Sequence, residues 1–284
     1  MKKFAILLTV ITLTASAFAE NITVKGSDTL VVLAQKWAEV YGNLHTNIHF
    51  SVSGGGTGTG FAALQNQTTD LCDASRPAQS AEIANCLKAF SARPTEYKVA
   101  LDGLSVYVNV ENPVKELSLN QLKDIFTGKM KNWKEVGGPD ASITVYSREN
   151  SSGTYEFFKK HALKGQDFTA SAQTMPGTAA IVQAIEKDKA GIGYGGAAYS
   201  GGAKHLGIKK DEASPAVQPT EENVVSGNYP LWRYLYVYLN PDLDKGEVAA
   251  YLKWIRSDEG QKVISSITTG DVGYYPLPKN LRSN

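Results

Sequence analysis

Three stretches of the chain place glycine, serine and threonine between a β-like run and the start of a helical one. They are Lys25-Gly26-Ser27-Asp28-Thr29-Leu30, then Gly54-Gly55-Gly56-Thr57-Gly58-Thr59-Gly60 leading into Phe61, and Ser147-Arg148-Glu149-Asn150-Ser151-Ser152-Gly153-Thr154 leading into Tyr155. The first amides of a helix lack intrahelical acceptors and lie at the positive end of the helix dipole, so each junction can hold an oxyanion. Hydroxyls add donors, glycine admits close backbone approach, and Arg148 brings a planar fork suited to two tetrahedral oxygens at once. Singly, each stretch has a plainer reading: a Ser or Thr ahead of a helix caps it, and a glycine loop makes a tight turn. Three of them in one chain, one carrying an arginine, point to a shared anion site. None of the three is a nucleotide P-loop, because no Gly-Lys-Ser/Thr ending follows.

The elements that must position these loops follow from periodicity. Asn21 to Lys25 and Ile48 to Ser53 read as strands; Thr29 to Tyr41 and Phe61 to Gln67 carry apolar residues at helical spacing. This is the α/β rhythm, which predicts a mostly parallel sheet. Lys98 to Val110 and Leu231 to Leu239 are long β-rich runs; between them lie a strand at Ser142 to Tyr146 and a helix at Thr154 to Leu163. Gly246 to Ile267 reads as helical. Two long strands at the ends of a central α/β segment suggest a chain that crosses twice between lobes. Residues 20–105 plus 235–284 would make lobe I and residues 106–234 lobe II. A cleft between lobes joined by crossing strands can close like a hinge and is a favoured ligand site.

The 284 residues suit two domains and a large core. Apolar content is 42%, and 29 basic against 28 acidic side chains leave no excess for a nucleic-acid partner. Residues 1–19 read as a cleavable signal peptide: Lys2 and Lys3, an apolar run from Phe4 to Leu13, then the small-x-small pattern at Ser16 to Ala19. Its removal takes two lysines and no acid, leaving 29 − 2 = 27 basic against 28 acidic groups. Export of this kind implies a periplasmic location. Cys72 and Cys86, the only two cysteines, are expected to form a disulfide there, since two lone cysteines lack the partner spacing of a zinc site. No metal or cofactor is expected. The four histidines, His45, His49, His161 and His205, show no HExxH spacing, and no Gly-x-Ser-x-Gly elbow occurs, so an enzyme is not expected.

The motifs KGSDTL, SGGGTGTG, DLCDASRP, LNQLKDIFTGKMKNW, SRENSSGTYEFF, AGIGYGG, YPLWRYLYVYL and GQKVISS occur in this order. Over essentially the whole mature chain they resemble the PstS-like phosphate-binding proteins that serve ABC phosphate importers. The resemblance implies a two-lobed periplasmic-binding-protein fold of type II, each lobe a mixed sheet flanked by helices. It implies inorganic phosphate held dehydrated between the lobes and passed to a membrane permease without chemical change; a monomer is expected, since a lobed receptor needs freedom to open. By motif, the contacts would be Ser27, Asp28 and Thr29; Thr57 with the Gly58 amide; and Arg148, Ser152, Gly153 and Thr154.

One position departs from the pattern. Where the family commonly has an Asp after the Ser matching Ser75, accepting the proton of monohydrogen phosphate, this chain has Arg76. Arginine cannot accept a hydrogen bond. Either Asp28 takes that role, with Asp73 second, or selection against other oxyanions such as sulfate, molybdate or tungstate is weaker. Arg76 itself either adds positive charge to the ligand or forms a salt bridge at the rim.

Overall fold

The computed structural model describes residues 20–199, 201–268 and 272–282; the expected signal peptide lies outside the described residues. The chain opens with β1 (Glu20–Gly26), α1 (Val31–Leu44), β2 (Ile48–Ser53), α2 (Thr57–Gln65), β3 (Leu71–Ala74) and α3 (Ser80–Phe90). The long β4 (Thr95–Asn109) leads to β5 (Glu116–Ser118), α4 (Leu119–Phe126), β6 (Thr144–Arg148), α5 (Gly153–His161), β7 (Gln173–Met175), α6 (Thr178–Lys187) and β8 (Gly191–Gly196). The remainder comprises β9 (Ala203–His205), β10 (Gly207–Lys209), α7 (Glu221–Val225), β11 (Trp232–Leu239), α8 (Gly246–Arg256), α9 (Asp258–Ile267) and β12 (Tyr274–Tyr275).

The sheet is mixed rather than mostly parallel. Its order is β2-β1-β3-β11-β4-β8-β6-β7, with β9 and β12 also on β4. The β1 and β6 neighbourhoods are parallel, whereas β11 runs antiparallel to β3 and β4, and β4 antiparallel to β8. Strand β4 pairs with β11 from Thr95 to Gly103 and with β8 from Leu104 to Val108, so one strand serves both halves. Two large apolar clusters flank it. One gathers Ile22, Leu33, Trp37, Val99, Val237, Leu252 and Ile264; the other gathers Leu104, Val106, Phe126, Trp133, Phe158, Tyr194 and Leu231. Tyr275 and Leu277, near the C-terminus, pack with the second.

Two helices differ from their expected spans, each for a local reason. Helix α2 begins at Thr57 rather than Phe61, because Gly56 turns at φ 95° and puts the rest of the glycine loop into the helix. Gly60 then lets α2 lie on the sheet: a Cβ there would come within 2.7 Å of the Gly26 Cα and 2.8 Å of the Cys72 Sγ. The run Gly246 to Ile267 is broken at Ser257, which is extended (ψ 169°) and caps α9 by accepting from the Gly260 amide at 3.3 Å.

The expected disulfide is not formed. Cys72 on β3 and Cys86 on α3 are free, buried thiols in one cluster with Phe61, Leu64, Ala74, Tyr236 and Tyr238. Here they pack as small apolar side chains. Burial pushes the Cys86 thiol up to about 11 and raises that of Cys72, so both stay protonated.

On β9, His205 lies 2.9 Å from the Ser105 hydroxyl and against the Tyr107 ring, and burial pulls its pKa down to about 4. A histidine depressed on folding adds stability above its unfolded value near 6.5 and loses it as pH falls towards 4, at up to about 1.4 kcal/mol per unit. His205→Gln should therefore flatten the fall of the urea midpoint between pH 7 and 4.5 relative to the native chain.

Candidate functional site

The first loop is fixed from three sides. At the end of β1 the Ser27 amide donates to the Asp73 carbonyl at 2.8 Å, tying this loop to the end of β3. The Ser27 hydroxyl accepts from the Thr29 amide at 3.3 Å. The Tyr199 and Tyr274 hydroxyls donate to the carbonyls of Asp28 and Thr29, both at 2.5 Å. The second loop is pinned by the Gly56 amide, 2.9 Å from the Gly26 carbonyl, and by the Gly55 amide, 3.0 Å from Asp28 Oδ1. The third ends at Ser152, whose hydroxyl caps α5 by accepting from the Tyr155 amide at 3.3 Å.

The loops converge. Thr29 Oγ1 lies 2.8 Å from Thr154 Oγ1, and Thr154 Oγ1 lies 3.4 Å from Ser75 Oγ. Ser75 Oγ is 3.4 Å from Thr57 Oγ1, which also accepts from the Ser75 amide at 3.1 Å. All four residues are fully buried. Gly153 wedges against them: a Cβ there would press on Thr57 Oγ1 and come within 2.8 Å of Ser75 Oγ. Helix geometry leaves the Thr57, Gly153 and Thr154 amides without intrahelical acceptors.

Arg148 brings the charge. Its side chain is 2% exposed; Nη2 donates to Asp28 Oδ2 at 2.6 Å and Nη1 to Thr178 Oγ1 at 3.1 Å. Its Nε is buried and has no hydrogen-bond partner among the described residues. A buried guanidinium N–H left open is costly unless something accepts from it. Hydroxyls, open helix-start amides and one such donor together make a site for a small, dry oxyanion.

Ser27, Asp28, Thr29, Thr57, Arg148, Ser152, Gly153 and Thr154 are thus brought together as expected. Gly58 and Arg76 are not part of the set. The Gly58 amide donates to the Ser151 carbonyl at 2.9 Å, a bond between the second and third loops that leaves it no donor for a ligand. Arg76 is held by carboxylates: Nη1 and Nη2 reach Glu82 at 2.7 and 2.8 Å, and Nε pairs with Glu156. The rim salt bridge is the correct reading of Arg76.

Sequence reasoning missed the supports. Ser75 joins the hydroxyl cluster, and Thr178, at the start of α6, orients Arg148. Arg233 on β11 donates through Nε to Asp102 on β4 at 2.8 Å, through Nη1 to the Ser75 carbonyl at 3.1 Å, and through Nη2 to Thr29 Oγ1 at 3.4 Å. Both partners of the ion pair are at most 2% exposed, so one buried arginine ties a long strand to two loops of the site. The signal was an arginine inside the aromatic run YPLWRYLYVYL and an aspartate in the β-rich run opposite it. A buried charge in such a strand demands a partner.

Residues 13–259 match the model of the PBP superfamily domain. The chain is 34% identical over 281 residues to the phosphate-binding protein PstS of Pseudomonas aeruginosa, covering 93% of this chain and 85% of that one. The chain belongs to the PstS family. The PstS of Staphylococcus epidermidis is 34% identical over 264 residues, covering 90% of this chain and 78% of the other. A putative phosphate ABC transporter substrate-binding protein from Clostridium perfringens, solved with bound phosphate, superposes with a TM-score of 0.82 at 25% identity, covering 91% of this chain and all of that one. An ABC-type phosphate transport receptor from Vibrio cholerae gives 0.71 at 25% identity, with 90% and 100% covered. The fold is that of the family: mixed α/β, a curled mixed sheet with flanking helices.

Asp73 holds the first loop through its carbonyl, while its own carboxyl makes no hydrogen bond to the site hydroxyls among the described residues. That carboxyl instead bears electrostatically on Cys72 and on Tyr251 of α8, and burial pushes its pKa up to about 8. An acid raised on folding costs nothing below its unfolded value near 3.9 and destabilises progressively as pH climbs towards 8. Asp73→Asn should therefore raise the urea midpoint at pH 8 and leave it nearly unchanged at pH 4.5.

Proposed function

We propose that the protein binds inorganic phosphate in the cleft and hands it to the permease of an ABC-type importer. In this reading the receptor is a periplasmic monomer without enzymatic activity, exported by residues 1–19. Residues 20–105 plus 235–284 act as one lobe and 106–234 as the other, with β4 and β11 as the hinge. The observation that carries it is the convergence of Thr29, Thr57, Ser75 and Thr154 beside the open Nε of Arg148. Relatives named for phosphate binding, and a fold neighbour that holds phosphate, support the same ligand.

The energetics suit a dianion. Stripping its water requires that nearly every hydrogen bond be replaced. Bonds to charged groups yield about 1.5–3 kcal/mol each, and helix starts about 0.3–2 kcal/mol, so a handful offsets association costs and reaches about −8 kcal/mol or better, micromolar or tighter. Asp28 supplies selectivity. Its oxygens already accept from Arg148 and Gly55, and a carboxylate has about four lone-pair sites, so it retains capacity for the proton of monohydrogen phosphate. Sulfate carries no such proton at neutral pH and meets only repulsion.

Calorimetry of the mature chain with phosphate, sulfate, arsenate and molybdate tests this. Phosphate should bind at micromolar or tighter affinity and sulfate far more weakly. Arg148→Ala should weaken phosphate binding about 100-fold, through loss of the charge-assisted bond from its open Nε and of the cation that offsets Asp28. Gly153→Ala should abolish it by driving the Thr57 and Ser75 hydroxyls apart, and Asp28→Asn should narrow the gap between phosphate and sulfate. Equal affinity for sulfate and phosphate in the native chain overturns the reading in favour of another oxyanion receptor.

A further inference from the structure

Arg76 and Glu156 lie next to the hydroxyl cluster without belonging to it. Arg76 directly follows Ser75, and Glu156 is two residues after Thr154, in the first turn of α5. The guanidinium is fixed on its own side: Glu82 takes Nη1 and Nη2 as a fork, the Pro77 carbonyl accepts from Nη1 at 3.0 Å, and the Phe61 ring lies 5.9 Å from its centre. Glu82 also accepts from the Gln79 amide at 2.8 Å, which anchors this group to the start of α3. Nε lies against Glu156 Oε2 as an ion pair, its N–H making no hydrogen bond among the described residues, and the Gln79 side chain donates to the same oxygen. The Arg76 side chain is 7% exposed and that of Glu156 27%. A cavity of about 760 Å³ opens beside the pair, lined by Gln79, Phe157 and Trp232 among others, so water can enter as the pair separates.

We propose that Arg76 and Glu156 are positioning residues that latch the Ser75 loop to the start of α5 and so set how long the anion stays bound. The inference rests on the cleft being the phosphate site. With the pair in contact, Arg76 is buried and Glu156 partly so, which strengthens their attraction; once the cleft opens both groups are solvated and the attraction is largely screened. Its energy therefore opposes opening and leaves capture by the open form unchanged. Truncating one partner of a shielded charge pair acts mainly on the dissociation rate.

Stopped-flow measurement of phosphate release from the mature chain tests this in Glu156→Gln, Arg76→Gln and the double variant. E156Q should release phosphate about 5–30-fold faster, with the association rate within twofold of the native value. In the R76Q background the same change should have little further effect. Release from E156Q within twofold of native overturns the latch, as does an equally large effect of E156Q in both backgrounds. Should R76Q fail to fold, Glu156→Asp, which keeps the charge, must release phosphate more slowly than E156Q; equal rates overturn the proposal. If the native chain takes up no phosphate, the functional reading fails by itself. Small-angle scattering of the unliganded proteins then decides the latch: E156Q should be more expanded than native, and identical profiles overturn it.

Discussion

A small anion stripped of its water can be held only where fixed donors take the place of every bond it gives up, and few of those donors can be free cations. Here four chain segments bring their hydroxyls to one point: Thr29 on Thr154, Thr154 on Ser75, Ser75 on Thr57. Each hydroxyl is at or beside the start of a helix or the end of a strand, so its position is inherited from an element with its own core. The short side chains have few rotamers to lose. Donors of this kind are set in advance, which is what makes them effective in a dry site.

The charges around the site obey the same economy. Arg148 is balanced by Asp28, Arg233 by Asp102, and Arg76 by Glu82 and Glu156. A buried ion pair seldom stabilises a fold by much, because desolvation offsets most of the attraction. Its use here is geometric. Arg233 joins β11 and β4 and reaches both Ser75 and Thr29, so the strands shared by the two halves are bonded directly to the loops that would hold the ligand. The bulge in the β11–β4 register between Leu235 and Tyr236 lies close by, at the point where the pairing of these two strands is irregular.

The glycines divide by what they allow. Gly56 supplies a positive φ that turns the chain into α2, and Gly153 supplies empty space where a Cβ would displace two hydroxyls of the cluster. Gly60 instead brings a helix down onto the sheet beside Cys72, whose thiol packs with Phe61, Leu64 and Tyr238. The same glycine-rich run thus shapes the site and the packing behind it.

Much of this was legible in the chain itself. Local rules placed β1, α1, β2, β4, β11 and α5 close to their observed spans, because apolar periodicity and capping hydroxyls act over a few residues. The family motifs carried the mixed α/β architecture and pointed to the loops that the structure brings together around Thr29, Thr57 and Thr154. What no local pattern could decide was which donors remain open after folding. The Gly58 amide is spent on Ser151, Arg76 on two glutamates, and Cys72 and Cys86 stay apart as thiols in an apolar cluster. Nor could the sequence alone place Ser75, Thr178 and Arg233, whose partners lie 18 to 204 positions away. Residue type states what a side chain is able to bond; only the packed chain determines which partner reaches it first.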